Sequence, residues 1–171
     1  MGARDGVPAF TLACIRREMT RYNEPITGMS LRTELTVEIA SPPDRIWDVL
    51  MDVEKWHEWT ASILSIQRLD PGLLIVGSRA RIRQPGLAAM IWRVTRLAPG
   101  SSFTWETRNW GVLTVAEHEI TPTEASRCTV VLRVRQSGLL VPILRRWIAR
   151  LTRRNVELEA QGLKRRCEEA R

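Results

Sequence analysis

The sequence predicts an α+β fold in which a curved, seven-stranded antiparallel sheet wraps on one long C-terminal helix, with two short helices after the first strand. Three observations carry this. An alternating apolar–polar pattern begins at Leu31, several further short alternating runs follow between glycine and proline turn signals, and from Leu139 to about Glu169 the period becomes helical.

The first strand sets Leu31, Thr33, Leu35, Val37 and Ile39 against Arg32, Glu34, Thr36 and Glu38. Ser41-Pro42-Pro43-Asp44 then predicts a helix start, with Ser41 as N-cap, prolines in the first turn and Asp44 favouring the positive helix end. Ile46, Trp47, Val49, Leu50 and Val53 give that helix an apolar stripe, and Trp56 and Trp59 fall in a second short helical piece. Turn signals at Asp70-Pro71-Gly72, Gly77, Pro85-Gly86, Pro99-Gly100, Gly111 and Pro122 divide the rest into an antiparallel meander. Its inward residues are expected to be Leu64 and Ile66; Ala80 and Ile82; Met90, Trp92 and Val94; Phe103, Trp105 and Thr107; Thr114, Ala116, His118 and Ile120; and Cys128, Val130, Leu132 and Val134. On the last helix Leu140, Ile143, Leu144, Trp147, Leu151, Leu158 and Leu163 form the expected core stripe, with Trp147 and Leu151 needed for the core. Arg145, Arg146, Arg150, Arg153 and Arg154, then Glu157, Glu159, Glu168 and Glu169, are left to the solvated side.

A chain of 171 residues, 44% hydrophobic and 26% charged, suits one globular core, and no apolar run approaches a membrane span. Residues 1–28 show no sustained period and read as an N-terminal extension, disordered or preceding the biological start at Met29; residues 29–171 form the domain. The net charge of +7 invites a polyanion partner, but only Lys55 and Lys164 of the 26 basic residues are lysine. No nucleic-acid-binding motif accompanies the arginines, so no specific nucleic acid is expected. Cys14, Cys128 and Cys167 stand far apart and form neither CxxC nor a Cys/His cluster, which argues against a disulfide framework or zinc site and fits a reducing cytoplasm.

A helix laid on the apolar face of a curved sheet leaves room between the layers, and ligand sites favour such concave apolar places. The order of elements carries a family resemblance, together with Ser41-Pro42-Pro43 and Ile46-Trp47, the Trp92-Arg93-Val94 and Phe103-Thr104-Trp105 strand pair, and the ending Arg153-Arg154-Asn155-Val156-Glu157-Leu158-Glu159-Ala160-Gln161-Gly162-Leu163-Lys164. On these residues the chain resembles the START-like (SRPBCC, helix-grip) superfamily, in its bacterial polyketide cyclase/dehydrase branch, over about residues 31 to 170. The resemblance implies a helix-grip fold with a cavity under the long helix for lipids, polyketides, aromatic metabolites or quinone-like molecules.

The candidate ligand-binding residues are Trp56, Trp59, Met90, Trp92, Phe103, Trp105, Thr107, His118, Trp147 and Leu151, since flat aromatic surfaces suit a polyaromatic or isoprenoid ligand. The same rings could equally be core. His118 could orient a ligand carbonyl or move a proton, although a structural histidine hydrogen-bonded at the sheet edge is the favoured reading. His57 reads as surface. Glu106, Glu117 and Glu119 fall on the outer face, as solvated partners of Arg93, Arg108, Arg133 and Arg135, and Arg79, Arg81 and Arg83 make an outer basic stripe.

No nucleophile–base–acid set, metal-ligand cluster or phosphate loop is visible, so no cofactor and no catalytic residue is assigned. The leading expectation is binding of a hydrophobic small molecule. The first alternative is a polyketide cyclase, aromatase or dehydratase assisted by His118 or Thr107. The second is a docking module with a collapsed pocket, whose arginine-rich helix makes peripheral contact with anionic membrane. A monomer or homodimer is expected.

Overall fold

Two strands that are neighbours in sequence, β1 (Ser30–Ile39) and β2 (Ser65–Arg68), stand at opposite edges of one seven-stranded antiparallel sheet. The computed structural model describes residues 30–169, so the expectations for residues 1–28, Met29 and Cys14 lie outside the described residues. Between the two edge strands the chain forms α1 (Pro43–Met51), a 3-10 turn (Val53–Lys55) and α2 (Trp56–Trp59). It then builds the sheet inward as β3 (Arg79–Arg83), β4 (Met90–Ala98), β5 (Ser102–Asn109), β6 (Val112–Glu124) and β7 (Arg127–Gly138), and ends in α3 (Val141–Glu168). Strand order is β1-β7-β6-β5-β4-β3-β2, with irregular register between Val94 and Arg96 and between Pro122 and Glu124. Such bulges bend the strands that carry them.

Alternation places the strands as expected, with Ile82, Trp92, Val94, Phe103, Trp105, Ile120, Val130 and Leu132 all buried. Leu64 departs from it. It precedes β2, donates its N–H to Arg83 O, and its side chain is 56% exposed. Pro122 also departs, lying inside β6 opposite Cys128 rather than in a turn. Pairing of β6 with β5 ends at Glu119 opposite Ser102, so the N–H that a proline lacks has no strand partner to serve there.

Helix α1 starts one residue later than the sequence suggests. Pro42 is its N-cap, and no side chain caps it. Ser41 is instead buried, with its hydroxyl unpartnered among the described residues and its carbonyl accepting from Cys128 Sγ at 3.4 Å. Asp44 does occupy the first turn, where the helix dipole favours it.

The largest correction concerns α3. Its buried line is Val141, Ile148, Thr152, Val156, Ala160, Leu163 and Cys167, whereas Ile143, Leu144 and Trp147 are exposed. The second half of the helix is clamped. Gly162 lies so close to α2 that an added Cβ would sit 2.1 Å from Trp59 O. Glu168 accepts the Ala40 N–H at 2.8 Å, Lys164 reaches Glu38 O at 2.6 Å, and Arg45 donates to the carbonyls of Arg166, Cys167 and Glu169. The Arg45 bonds satisfy carbonyls that a helix end leaves unpaired. The first half of α3 has a single side-chain hydrogen bond to the sheet among the described residues, Thr152 to Gln136.

On the outer face Arg133 pairs with Glu34 at 3.0 Å and with Glu117 and Glu119, and Arg93 lies opposite Glu106, in keeping with solvated cross-strand charges. His57 is exposed, its Nδ1 beside Glu54 O. Cys128 and Cys167 are free and buried.

Candidate functional site

Because α3 is clamped mainly at its C-terminal half, a cavity of about 470 Å³ remains between its first half and the sheet. Ligand cavities commonly enclose roughly 300–1,000 Å³. Trp56 from α2, Met90 and Trp92 from β4, Trp105 and Thr107 from β5, and Ala116 and Thr114 from β6 form the inner wall. Leu144, Trp147, Ile148, Leu151, Val156 and Glu159 close it from α3.

Of the ten sequence-predicted site residues, the cavity brings together Trp56, Met90, Trp92, Trp105, Thr107, Trp147 and Leu151. Trp147 and Leu151 thus serve a wall and not the packed core: Trp147 is 55% exposed and Leu151 half-buried. Trp59 stands elsewhere, on a polar groove shared with Arg45, Asp48, Lys55 and Arg166. Phe103 and His118 lie behind the wall. Phe103 is fully buried and stacks flat on His118, centroids 4.4 Å apart and planes 1° apart. Their stacking follows from register, since the two residues face each other across β5 and β6. Trp56 joins this layer from above, its ring 5.4 Å from His118, 5.0 Å from Trp105 and 6.0 Å from Phe103.

His118 is not at a sheet edge but in a central strand, 3% exposed, and its Nε2 lies 2.6 Å from Glu159 Oε1. With Glu159 as a carboxylate, which can only accept, the contact fits the imidazole tautomer that carries its proton on Nε2. Nδ1 is buried without a partner among the described residues. Glu159 therefore does not lie on the solvated side as the sequence suggests. It turns inward from α3 and lines the cavity, coupling the histidine behind the wall to the space in front of it. Sequence reasoning missed it, although Glu159 stands three residues after buried Val156 and four before buried Leu163, on the covered face of the helix.

The other polar wall groups are largely engaged. Thr107 donates its hydroxyl to Ile91 O at 2.8 Å, and Thr152 donates to Gln136 Oε1 at 3.1 Å. The indole N–H of Trp92 has no acceptor among the described residues. Among those residues no group of three or more His, Cys, Asp or Glu side chains converges on a metal-sized site.

The cavity can thus surround a mainly apolar molecule and offer it one carboxylate. Solved structures of similar fold bear on that reading. The chain superposes on an aromatase/cyclase from Streptomyces sp. R1128 with a TM-score of 0.69 at 19% identity, covering 81% of this chain and 94% of that one. For a START superfamily protein from Mycobacterium smegmatis the TM-score is 0.66 at 18% identity, with coverage of 82% and 98%. A truncated norcoclaurine synthase from Thalictrum flavum gives 0.68 at 14% identity, covering 83% and 96%. At these identities the likeness establishes the fold alone. No curated protein matches the chain. The family model for "Polyketide cyclase / dehydrase and lipid transport" matches residues 30–168, the whole of the sheet and the helix that covers it, and the chain belongs to that family.

Proposed function

We propose that the protein binds a hydrophobic small molecule, of the lipid, polyketide, aromatic or isoprenoid kind, in the cavity between the sheet and the first half of α3. The observation that carries the reading is the cavity itself, about 470 Å³ walled by Trp56, Trp92, Trp105 and Trp147. Indole faces give a large apolar contact area with little rotamer entropy to lose. Open space of that size also argues against a docking module with a collapsed interior.

The test uses a neutral apolar fluorophore, N-phenyl-1-naphthylamine. A ligand that prefers the native state raises stability by mass action, so the melting temperature should climb with probe concentration while tryptophan emission falls. Thr114→Phe places a ring inside the cavity and should abolish both responses without removing a core side chain. A melting temperature indifferent to the probe in the wild type would count against the reading.

A second reading, cyclase, aromatase or dehydratase activity, is favoured by the His118–Glu159 pair. Glu159 would take a proton from a carbon beside a ketone, and His118, hydrogen-bonded behind it, would hold the carboxylate in place. Condensation onto a second carbonyl followed by loss of water would give an aromatic ring. Incubation with a synthetic linear poly-β-ketone and mass analysis for loss of water separates the two. Under the enzymatic reading Glu159→Gln eliminates the product but spares binding.

We place the protein in a reducing cytoplasm, a reading that the buried free thiols of Cys128 and Cys167 support. No described helix is long and apolar enough to cross a membrane.

A further inference from the structure

The rim of the cavity mouth is apolar where solvent would be expected to favour polar groups. Trp110, 78% exposed, and Trp147, 55% exposed, line it together with exposed Leu144, and Ile143, 77% exposed, and exposed Leu139 adjoin these in sequence on and just before α3. Two segments supply this rim. Ile143 and Trp147 stand one turn apart on the free half of α3, while Trp110 sits at the tip of the β5–β6 hairpin. The tip and the entry to α3 touch, because a Cβ added at Gly138 would lie 2.0 Å from Gly111 O.

Trp110 holds its exposed ring at a conformational cost. Its φ is +51°, and it is the one described non-glycine residue with a positive φ. With Gly111 at +71° it makes the tight hairpin turn that asparagine or aspartate followed by glycine ordinarily makes. A bulky side chain in the left-handed region costs about 1–2 kcal/mol, and such outliers point toward function.

Charge adds the second half of the pattern. Arg146 and Arg150 lie one turn apart along the edge of the apolar stripe, exposed and without an acidic partner among the described residues. From Ala125 to Val156 the sequence contains no acidic residue at all. Nor does the stretch from Leu139 to Arg150 carry a neutral side chain able to make a directional hydrogen bond, apart from the indole of Trp147. An apolar, aromatic rim whose charges are all cationic, in a stretch without one acidic side chain, is complementary to an anionic lipid surface.

We propose that this rim docks on an anionic lipid bilayer, with Trp110, Ile143 and Trp147 entering the headgroup boundary and Arg146 and Arg150 meeting lipid phosphates. The net charge of +7 steers the approach. Docking in this pose sets the cavity mouth against the lipid, and the inference goes beyond the cavity reading without requiring it.

Co-sedimentation of the full chain with vesicles tests the proposal, using phosphatidylcholine alone and phosphatidylcholine mixed with phosphatidylglycerol. Binding is expected on the mixed vesicles, far less on the neutral ones, and should weaken as salt rises. Arg146→Gln and Arg150→Gln should each lower the partition about fivefold, and Trp110→Asn and Ile143→Ser about tenfold each. Asparagine tolerates a positive φ, so Trp110→Asn should melt no lower than the wild type, which separates lost docking from lost folding. Arg146 and Arg150 stand outside the cavity wall, so their variants should still take up N-phenyl-1-naphthylamine and the two readings fail separately. Absence of binding to mixed vesicles, or equal partition of wild type and Trp110→Asn/Ile143→Ser, overturns the proposal. A concentration-dependent dimer that Ile143→Ser dissolves, with no vesicle binding, also overturns it and gives the rim to a second copy of the chain.

Discussion

His118 Nε2 and Glu159 Oε1, 2.6 Å apart, join the middle of the sheet to the middle of the covering helix. The contact spans the boundary between the buried layer of Phe103 and Trp56 and the cavity that Glu159 lines. Its strength comes from a charged acceptor held in a water-poor place.

Removing one member should therefore cost more than removing both. Glu159→Ala leaves both ring nitrogens of a buried imidazole unpaired, a loss of about 2 kcal/mol. The melting temperature should fall by about 4–8 °C. Adding His118→Phe removes the stranded polar group and should recover part of that loss. Strictly additive losses in the double-mutant cycle would mean that the two side chains do not interact.

Gly162 makes a different demand. A methyl group there would sit 2.1 Å from Trp59 O, and backbone cannot swing aside as a side chain can. Gly162→Ala should separate α2 from α3 and destabilise the protein by about 1–3 kcal/mol, despite the better helix propensity of alanine. Thermal melting checks this, and a stabilised variant would show that the two helices yield.

The two cysteines inside the fold should be unreactive. Burial pushes the Cys167 thiol up to about 11 and raises that of Cys128. The thiolate is the nucleophile, so at neutral pH little of the reactive form exists. In a Cys14→Ser background the native protein should resist iodoacetamide, with both thiols alkylated once denaturant is added. Rapid modification of the native protein would show that the end of α3 opens readily.

Strands were legible because each has one covered face, and two-residue alternation reports it directly: Phe103, Trp105 and Thr107 all turned inward as the pattern indicates. The helix was harder. Apolarity marks a packed core, a cavity wall and an exposed rim alike, so Leu163, Leu151 and Ile143 look equivalent in sequence although they occupy three different settings. The buried line of α3 also includes Thr152, Ala160 and Gly162, small or polar residues that a hydrophobicity pattern passes over. Glu159 was hidden for a related reason. Beside Glu157 it reads as solvated charge, and only its spacing from Val156 and Leu163 places it on the covered side. The shape of the cavity depends on where α3 is clamped, and the clamps are long-range contacts such as Glu168 with Ala40, which no local pattern encodes.

That clamp gives the last prediction, a pH dependence with a definite sign. Glu168 accepts the Ala40 N–H at 2.8 Å and pairs with Lys164 at 2.7 Å. First the backbone hydrogen bond and then the Lys164 ammonium hold its carboxyl below the ordinary value of 4.5. A carboxylate with a depressed folded-state pKa contributes stability above its unfolded value and loses that contribution as pH falls through the folded one. The difference in melting temperature between wild type and Glu168→Gln should therefore be fullest at neutral pH and shrink as the pH drops below about 4.5. Because both groups are partly solvated, the neutral-pH difference should be small, about 1 kcal/mol or about 2–4 °C. Calorimetric melting of both proteins across the acid range measures it. A difference that stays constant with pH would mean that Glu168 holds β1 to α3 by shape and not by charge.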